Sequence, residues 1–223
     1  MNRATRIAVS TFGALAAVAG FEHGVGEVLQ GNTAPDGVFI LSWPDAPFFD
    51  ILAGEPAMTL IPNLLISGIL SIIVAVMLGV WAVRYIQRRN GALVLLLLSV
   101  VLLLGGGGFG PPLLGLVLTL AATQIRSSLA RWRKLGDGAR HKLANLWPWV
   151  FGMSLLAWLA LFPGISLYDH FIGVADPYIM NTLALVAFGS LLVTILLGLA
   201  RDAGQPAEAT LRPAHRRAPS GHA

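Results

Sequence analysis

The sequence predicts an all-α protein, a polytopic membrane-embedded helical bundle of about six transmembrane segments. Three observations carry that expectation. Hydrophobic residues make up 56% of the 223-residue chain against 12% charged, and mean hydropathy is +0.73. The apolar residues come in long runs, near the roughly 20 residues that cross a hydrocarbon core of about 30 Å. The 15 Lys and Arg sit in short clusters between those runs. A pI near 10.1 would suit a nucleic-acid partner, but clusters placed this way follow the rule that short cytoplasmic loops are basic, so nucleic acid is not expected as a partner. The chain has no Cys, which excludes disulfide and thiolate chemistry.

The elements follow in order. Arg6 precedes the run Ile7 to Phe21, read as a retained first helix because no small-residue cleavage site and soluble region follow it. The loop Gly31–Ala57 alternates turn signals at Pro35-Asp36-Gly37 and Pro44 to Pro47 with the apolar pieces VFILSW and FFDIL. It is expected to fold back as a lid, burying Phe39, Trp43, Phe48 and Phe49. The second run, Met58 to Val83, ends in Arg84, Arg88 and Arg89, and Pro62 and Asn63 mark its start. From Gly91 an apolar run reaches GGGGFGPP, Gly105 to Pro112, and then continues to Arg126. That block cannot stay regular helix, so residues 91–126 are expected to form a broken hairpin. A fifth run spans Leu146 to Phe162, with Asn145 as its cap and Pro148 in its first turn; a sixth spans Tyr178 to Ala200. Residues 1–202 thus form one transmembrane domain. The Ala, Pro, Arg and His-rich tail, 203–223, is expected to be disordered and cytoplasmic.

Counting charge gives the orientation. With the hairpin turning back, all the basic residues fall on one side: two at the N-terminus, three after the second helix, six in Arg126–Lys142 and four in the tail. Both termini are then cytoplasmic. Ala, Gly, Leu and Arg usage with little Lys fits a bacterial protein, and hence the plasma membrane.

The acidic residues sort to the opposite, outer side: Glu22, Glu27, Asp36, Asp45, Asp50, Glu55, Asp169 and Asp176. Counting up from Arg6, Glu22 lies at about 24 Å and Glu27 at about 31 Å, at the outer edge of the core. On the first helix Gly13, Ala17, Gly20 and Gly24 share one strip, a face for close helix packing and for a homo- or hetero-oligomer contact. Glu27 borders that strip. His23 stands four residues away and can touch it, whereas Glu22 points nearly the opposite way unless Gly24 and Gly26 open the last turn.

The second outer histidine is His170, beside Asp169. Glu22, His23, Glu27, Asp169 and His170 are therefore the candidate ion, proton or metal cluster, with His23, Glu27, Asp169 and His170 as one unit beneath the lid. A divalent metal suits these residue types, although E-H-x-x-x-E is no specific zinc motif. No phosphate loop, G-x-S-x-G elbow or dinucleotide fingerprint is present, so no catalytic residue and no organic cofactor is assigned. The reading is a non-enzymatic membrane protein, a transport or permeation component or a subunit of a membrane complex, with the lipid bilayer as its surroundings. The alternative is a membrane-embedded enzyme at the outer leaflet with His23 and Glu27 as acid-base groups or metal ligands.

Overall fold

Apolar runs separated by glycine, proline and arginine fold as helices α1 to α8. The computed structural model describes residues 1–173 and 176–204; the predicted tail lies outside the described residues from position 205 on. The helices are α1 (Arg3–Gln30), α2 (Leu64–Val80, prolonged by a wider turn Trp81–Tyr85), α3 (Gly91–Leu104), α4 (Gly110–Ala122), α5 (Ala130–Arg133), α6 (Asp137–Leu159), α7 (Ile165–Ile172) and α8 (Pro177–Gly204). Among the described residues four segments are long and apolar enough to cross a membrane: Arg3–Gln30, Leu64–Tyr85, Asp137–Ile172 and Tyr178–Gly204. The all-α class and a membrane setting follow from them.

The glycine block ends one short helix and starts another. Gly106 and Gly108 have φ of +104° and +76°, a conformation that glycine adopts without the steric penalty of a Cβ, and Pro111 and Pro112 open α4, where a missing N–H costs nothing. The resulting hairpin of 14- and 13-residue helices packs α3 against α4. Its base lies beside the start of α1, where Asn2 N donates to Ile125 O at 2.9 Å. Its tip reaches the far end of α1, against His23 and Glu27.

The strip on α1 is a packing face within the chain. Gly13 lies against Ala82, Ala17 against Gly79, and Gly24 against Gly68, so α2 occupies it. An oligomer formed through this strip would have to displace α2. Phe12, Leu78, Leu95, Leu102, Leu114 and Leu118 fill the space between α1, α2 and the hairpin, while α6 pairs with α8 and α8 returns to α1.

Three expectations need correction. The helix expected to begin near Leu146 begins at Asp137, so Pro148 lies inside it. A proline there removes the N–H that would reach the Ala144 carbonyl, and that carbonyl instead accepts from Arg201 Nη1 at 2.9 Å. The segment after Pro163, expected as loop, carries α7 behind a bend at Phe162. The lid is no mere loop either. Its strands β1 (Phe39–Leu41) and β2 (Pro56–Met58) pair antiparallel around a 3-10 turn, Pro47–Leu52. Phe49 is buried and stacked on Trp43 at 4.8 Å, but Phe39 is 74% exposed.

One end of the bundle is basic. Ties at Asn2–Ile125, Arg126–Gln87, Arg201–Ala144 and Ala4–Asp202 bring the start of α1, the ends of α2, α4 and α8 and the start of α6 together, and with them the described Lys and Arg.

Candidate functional site

At the other end, α1 keeps its helical path to Gln30 and delivers three titratable side chains: Glu22, His23 and Glu27. The lid docks over them. Gly26 leaves room for the Ser42 carbonyl and the Trp43 ring, and Gln30 Nε2 donates to Leu41 O and Ser42 O at 3.0 and 2.9 Å. The lid then turns sharply through Ala53, Gly54 and Glu55, all with φ between +54° and +69°. Left-handed backbone is costly at Ala53 and Glu55, about 1 kcal/mol or more each. Hydrogen bonds hold it: Ser42 N to Glu55 O at 3.1 Å, Trp43 N to Gly54 O at 3.0 Å and Gly54 N to Phe49 O at 3.0 Å. The product of that turn is the placement of the Glu55 carboxyl on His23.

Glu55 Oε2 lies 3.1 Å and Glu22 Oε2 3.3 Å from His23 Nδ1, and the same nitrogen lies 3.0 Å from the Ala19 carbonyl. One imidazole nitrogen carries at most one proton, so three oxygen acceptors surround a single donor. His23 and Glu55 are only 6% and 5% exposed. Burial first, and then the neighbouring Glu22, push the Glu55 carboxyl up to about 10. Ligand atoms of Glu22, His23 and Glu55 all lie within 4.8 Å of one another, so the three can hold a metal ion. Bonds of about 2.0–2.2 Å from nitrogen and carboxylate oxygen to a first-row metal give ligand-to-ligand edges of about 3.0–3.5 Å, and the two Nδ1-to-oxygen separations fit that range.

Glu27 occupies a separate cup. It is fully buried, and neither carboxylate oxygen has a hydrogen-bond partner among the described residues. Gly106 closes the cup so tightly that a methyl group there would strike both Glu27 oxygens and Ser67 Oγ; at Gly108 it would strike the His23 ring. Ser67 Oγ lies 2.8 Å from Thr59 Oγ1 and 2.7 Å from the Gly105 carbonyl, which also accepts from Ser71 Oγ at 2.8 Å. The glycine tip of the hairpin therefore packs on both Glu27 and His23 of α1.

Of the expected cluster, the structure brings Glu22 and His23 together and places Glu27 one turn further along. Asp169 and His170 stand apart. His170 is exposed, with its ring against Phe48 and Phe171 at 5.8 and 5.1 Å, and the Asp169 carbonyl caps α7 by accepting from Gly173 N. The expected partner role falls instead to Glu55, which sequence reading left among the solvated loop acids. Its only signal was the Ala-Gly-Glu-Pro turn within an apolar loop, which does not fix where a side chain lands. Glu22 joins without any opening of the helix, because its partner comes from the lid and not from α1.

Beside the trio lies a cavity of about 350 Å³. His23 and Glu55 form part of its wall, and the rest is mainly apolar, including Ala19, Leu114, Trp158 and Phe188. The fold and site together define a helical membrane protein with a buried carboxylate–histidine cluster at one end. No protein-family model matches the chain, and no curated protein or solved structure matches it either.

Proposed function

We propose that this chain is a multi-pass protein of the bacterial plasma membrane whose outer end binds a divalent cation through Glu22, His23 and Glu55. The three long-range features behind the orientation are the basic end, the acidic end and the hairpin. With the hairpin counted as two short crossings there are six, residues 1–202 form one transmembrane domain, and both termini face the cytoplasm. The observation that carries the binding role is the convergence of two carboxylates and an imidazole within 4.8 Å, two of the three side chains buried, at an end without Lys or Arg among the described residues. A divalent ion neutralises that cluster and satisfies its surplus acceptors.

The role is binding and not permeation. Beneath Glu27 the core of α1, α2 and the hairpin is apolar, with Phe12, Leu78, Leu95 and Leu102 fully buried. Ser99 and Thr119 within it donate to carbonyls of their own helices, at 2.8 and 3.0 Å. An ion leaving the cluster for the basic end would cross that layer unhydrated, at a high cost. A membrane-complex component loaded from outside fits better.

Titration of purified, metal-stripped protein with Zn2+, Mn2+ and Co2+ tests the reading. One equivalent per chain is expected, lost in Glu22→Gln, His23→Ala and Glu55→Gln and retained in Glu27→Gln and His170→Ala. Retention in Glu55→Gln would contradict it.

One observation favours a second reading, a membrane-embedded enzyme at the outer leaflet: the apolar cavity meets the acid–base pair His23 and Glu55. Turnover of an acyl-chain ester, abolished by His23→Ala, is its test.

A further inference from the structure

Two walls of the cavity differ in chemistry, and the difference specifies an occupant. His23 and Glu55 stand on one wall; Ala19, Leu114, Trp158 and Phe188 supply apolar surface from α1, α4, α6 and α8. Glu55 is 5% exposed, and its Oε2 competes with Glu22 Oε2 and the Ala19 carbonyl for the single proton of His23 Nδ1, so the buried cluster holds more acceptors than it can satisfy. A volume of about 350 Å³ is at the small end of ligand cavities, which run from about 300 to 1,000 Å³, and suits one alkyl chain but not the two of a bilayer phospholipid.

Three protein ligands leave a metal ion with an open coordination position. His23 and Glu55 line the cavity and Glu22 does not, so the cavity is the space from which a further ligand would reach an ion held by the three. Two carboxylates and a neutral imidazole cancel the charge of a divalent ion. The remaining ligand therefore needs an oxygen donor and is free to be neutral or anionic, which the cluster without its ion would repel.

We propose that the cavity binds a single-chain amphiphile whose oxygen-donor head, a fatty-acid carboxylate being the simplest, completes the coordination of the ion held by Glu22, His23 and Glu55. This rests on the cation-binding reading above. It adds the ligand class: the chain lies along Leu114, Trp158 and Phe188, and the head meets the metal beside His23. A cationic or headless alkyl compound lacks the donor, and a soluble head without a chain lacks the apolar contact.

The test uses the full chain in lipid nanodiscs, loaded with Co2+ so that visible spectra report on the metal's ligands, and titrated with dodecanohydroxamate and acetohydroxamate. Both probes carry the same chelating head. The expected result is a shift of the Co2+ bands by both, with dodecanohydroxamate binding at least tenfold more tightly. Ala184→Trp fills the cavity from α8, a helix that carries none of the three metal ligands. It should erase that tenfold advantage while leaving Co2+ and acetohydroxamate binding intact, a pattern that partition of the chain into the bilayer cannot produce. Equal affinity of the two probes in the unsubstituted protein, or an advantage that survives Ala184→Trp, would overturn the amphiphile site and leave the cation site standing. Failure to bind Co2+ at all would overturn both.

Discussion

The two ends of α1 handle buried carboxylates in opposite ways. At its start, Asp202 from α8 is 5% exposed and fully engaged: Oδ1 accepts from Ala4 N at 2.9 Å, and Oδ2 accepts from Thr5 N at 2.9 Å and Thr5 Oγ1 at 2.7 Å. An anion at a helix N-terminus also meets the positive end of the helix dipole. At its finish, Glu27 is more deeply buried, has no partner for either oxygen, and sits in the last turn, where the dipole is negative and no basic residue follows. Glu22 and Glu55 crowd one histidine nitrogen close by. A satisfied buried carboxylate ties helices together. Acceptors in surplus at the wrong end of a dipole are poor cement; under the proposed function a cation joins Glu22 and Glu55, while Glu27 stands apart in its own cup.

The comparison can be broken most directly at Asp202. Asp202→Ala leaves three donors unanswered and should cost about 3–5 kcal/mol, read as thermal unfolding in detergent, with Asp202→Asn between it and the unsubstituted protein. Glu27→Gln should lie within about 1 kcal/mol of neutral, because it removes the ionisable group while keeping the side chain's shape and its place beside Ser67. Equal losses at the two positions would erase the contrast.

Gly106→Ala comes next, at about 2–4 kcal/mol, since it adds a collision with Glu27 and Ser67 to a left-handed backbone. Gly110→Ala, where nothing lies within 4 Å of the added carbon, should be tolerated. The same unfolding assay compares them.

The pH dependence sharpens the site end. In metal-free protein the folded state holds the Glu55 proton up to about 10, whereas the unfolded chain releases it near the ordinary value of 4.5. The folded state therefore binds more protons across that window, and the contribution of Glu55 is full below 4.5 and is lost as pH rises toward 10. Unfolding measured from pH 5 to 9.5 should show stability falling, with a flatter profile in Glu55→Gln.

Smaller effects come from α6 and α7. Arg201→Ala should cost about 1 kcal/mol by leaving the Ala144 carbonyl opposite Pro148 without its donor. His170→Ala, which removes only an exposed ring contact, should stay within about 0.5 kcal/mol.

Much of the fold is legible in the sequence, because it depends on local signals. The apolar runs, the glycine–proline break and the Gly13, Ala17, Gly20 and Gly24 strip act through periodicity and backbone freedom, and each appears where expected. Pro148 shows the limit. Read locally it marks a first turn, but a partner 53 residues away, Arg201, makes it tolerable within a helix. The site divides in the same way. Glu22, His23 and Glu27 lie on one helix, and their spacing could be judged. Glu55 reaches His23 through a lid whose register depends on strand pairing and three successive left-handed residues, and no local pattern encodes that outcome. His170 shares a side of the bundle with His23, which charge counting detects, but sharing a side does not establish contact.

The most direct test of a cation-binding end is the stoichiometry of Co2+ or Mn2+ bound to the purified chain, compared between Glu55→Gln and Asp202→Asn. Both variants neutralise one buried carboxylate, at opposite ends of α1. One ion per chain, lost in Glu55→Gln and kept in Asp202→Asn, is the predicted result; no bound ion in the unsubstituted protein, or one that survives Glu55→Gln, would contradict it.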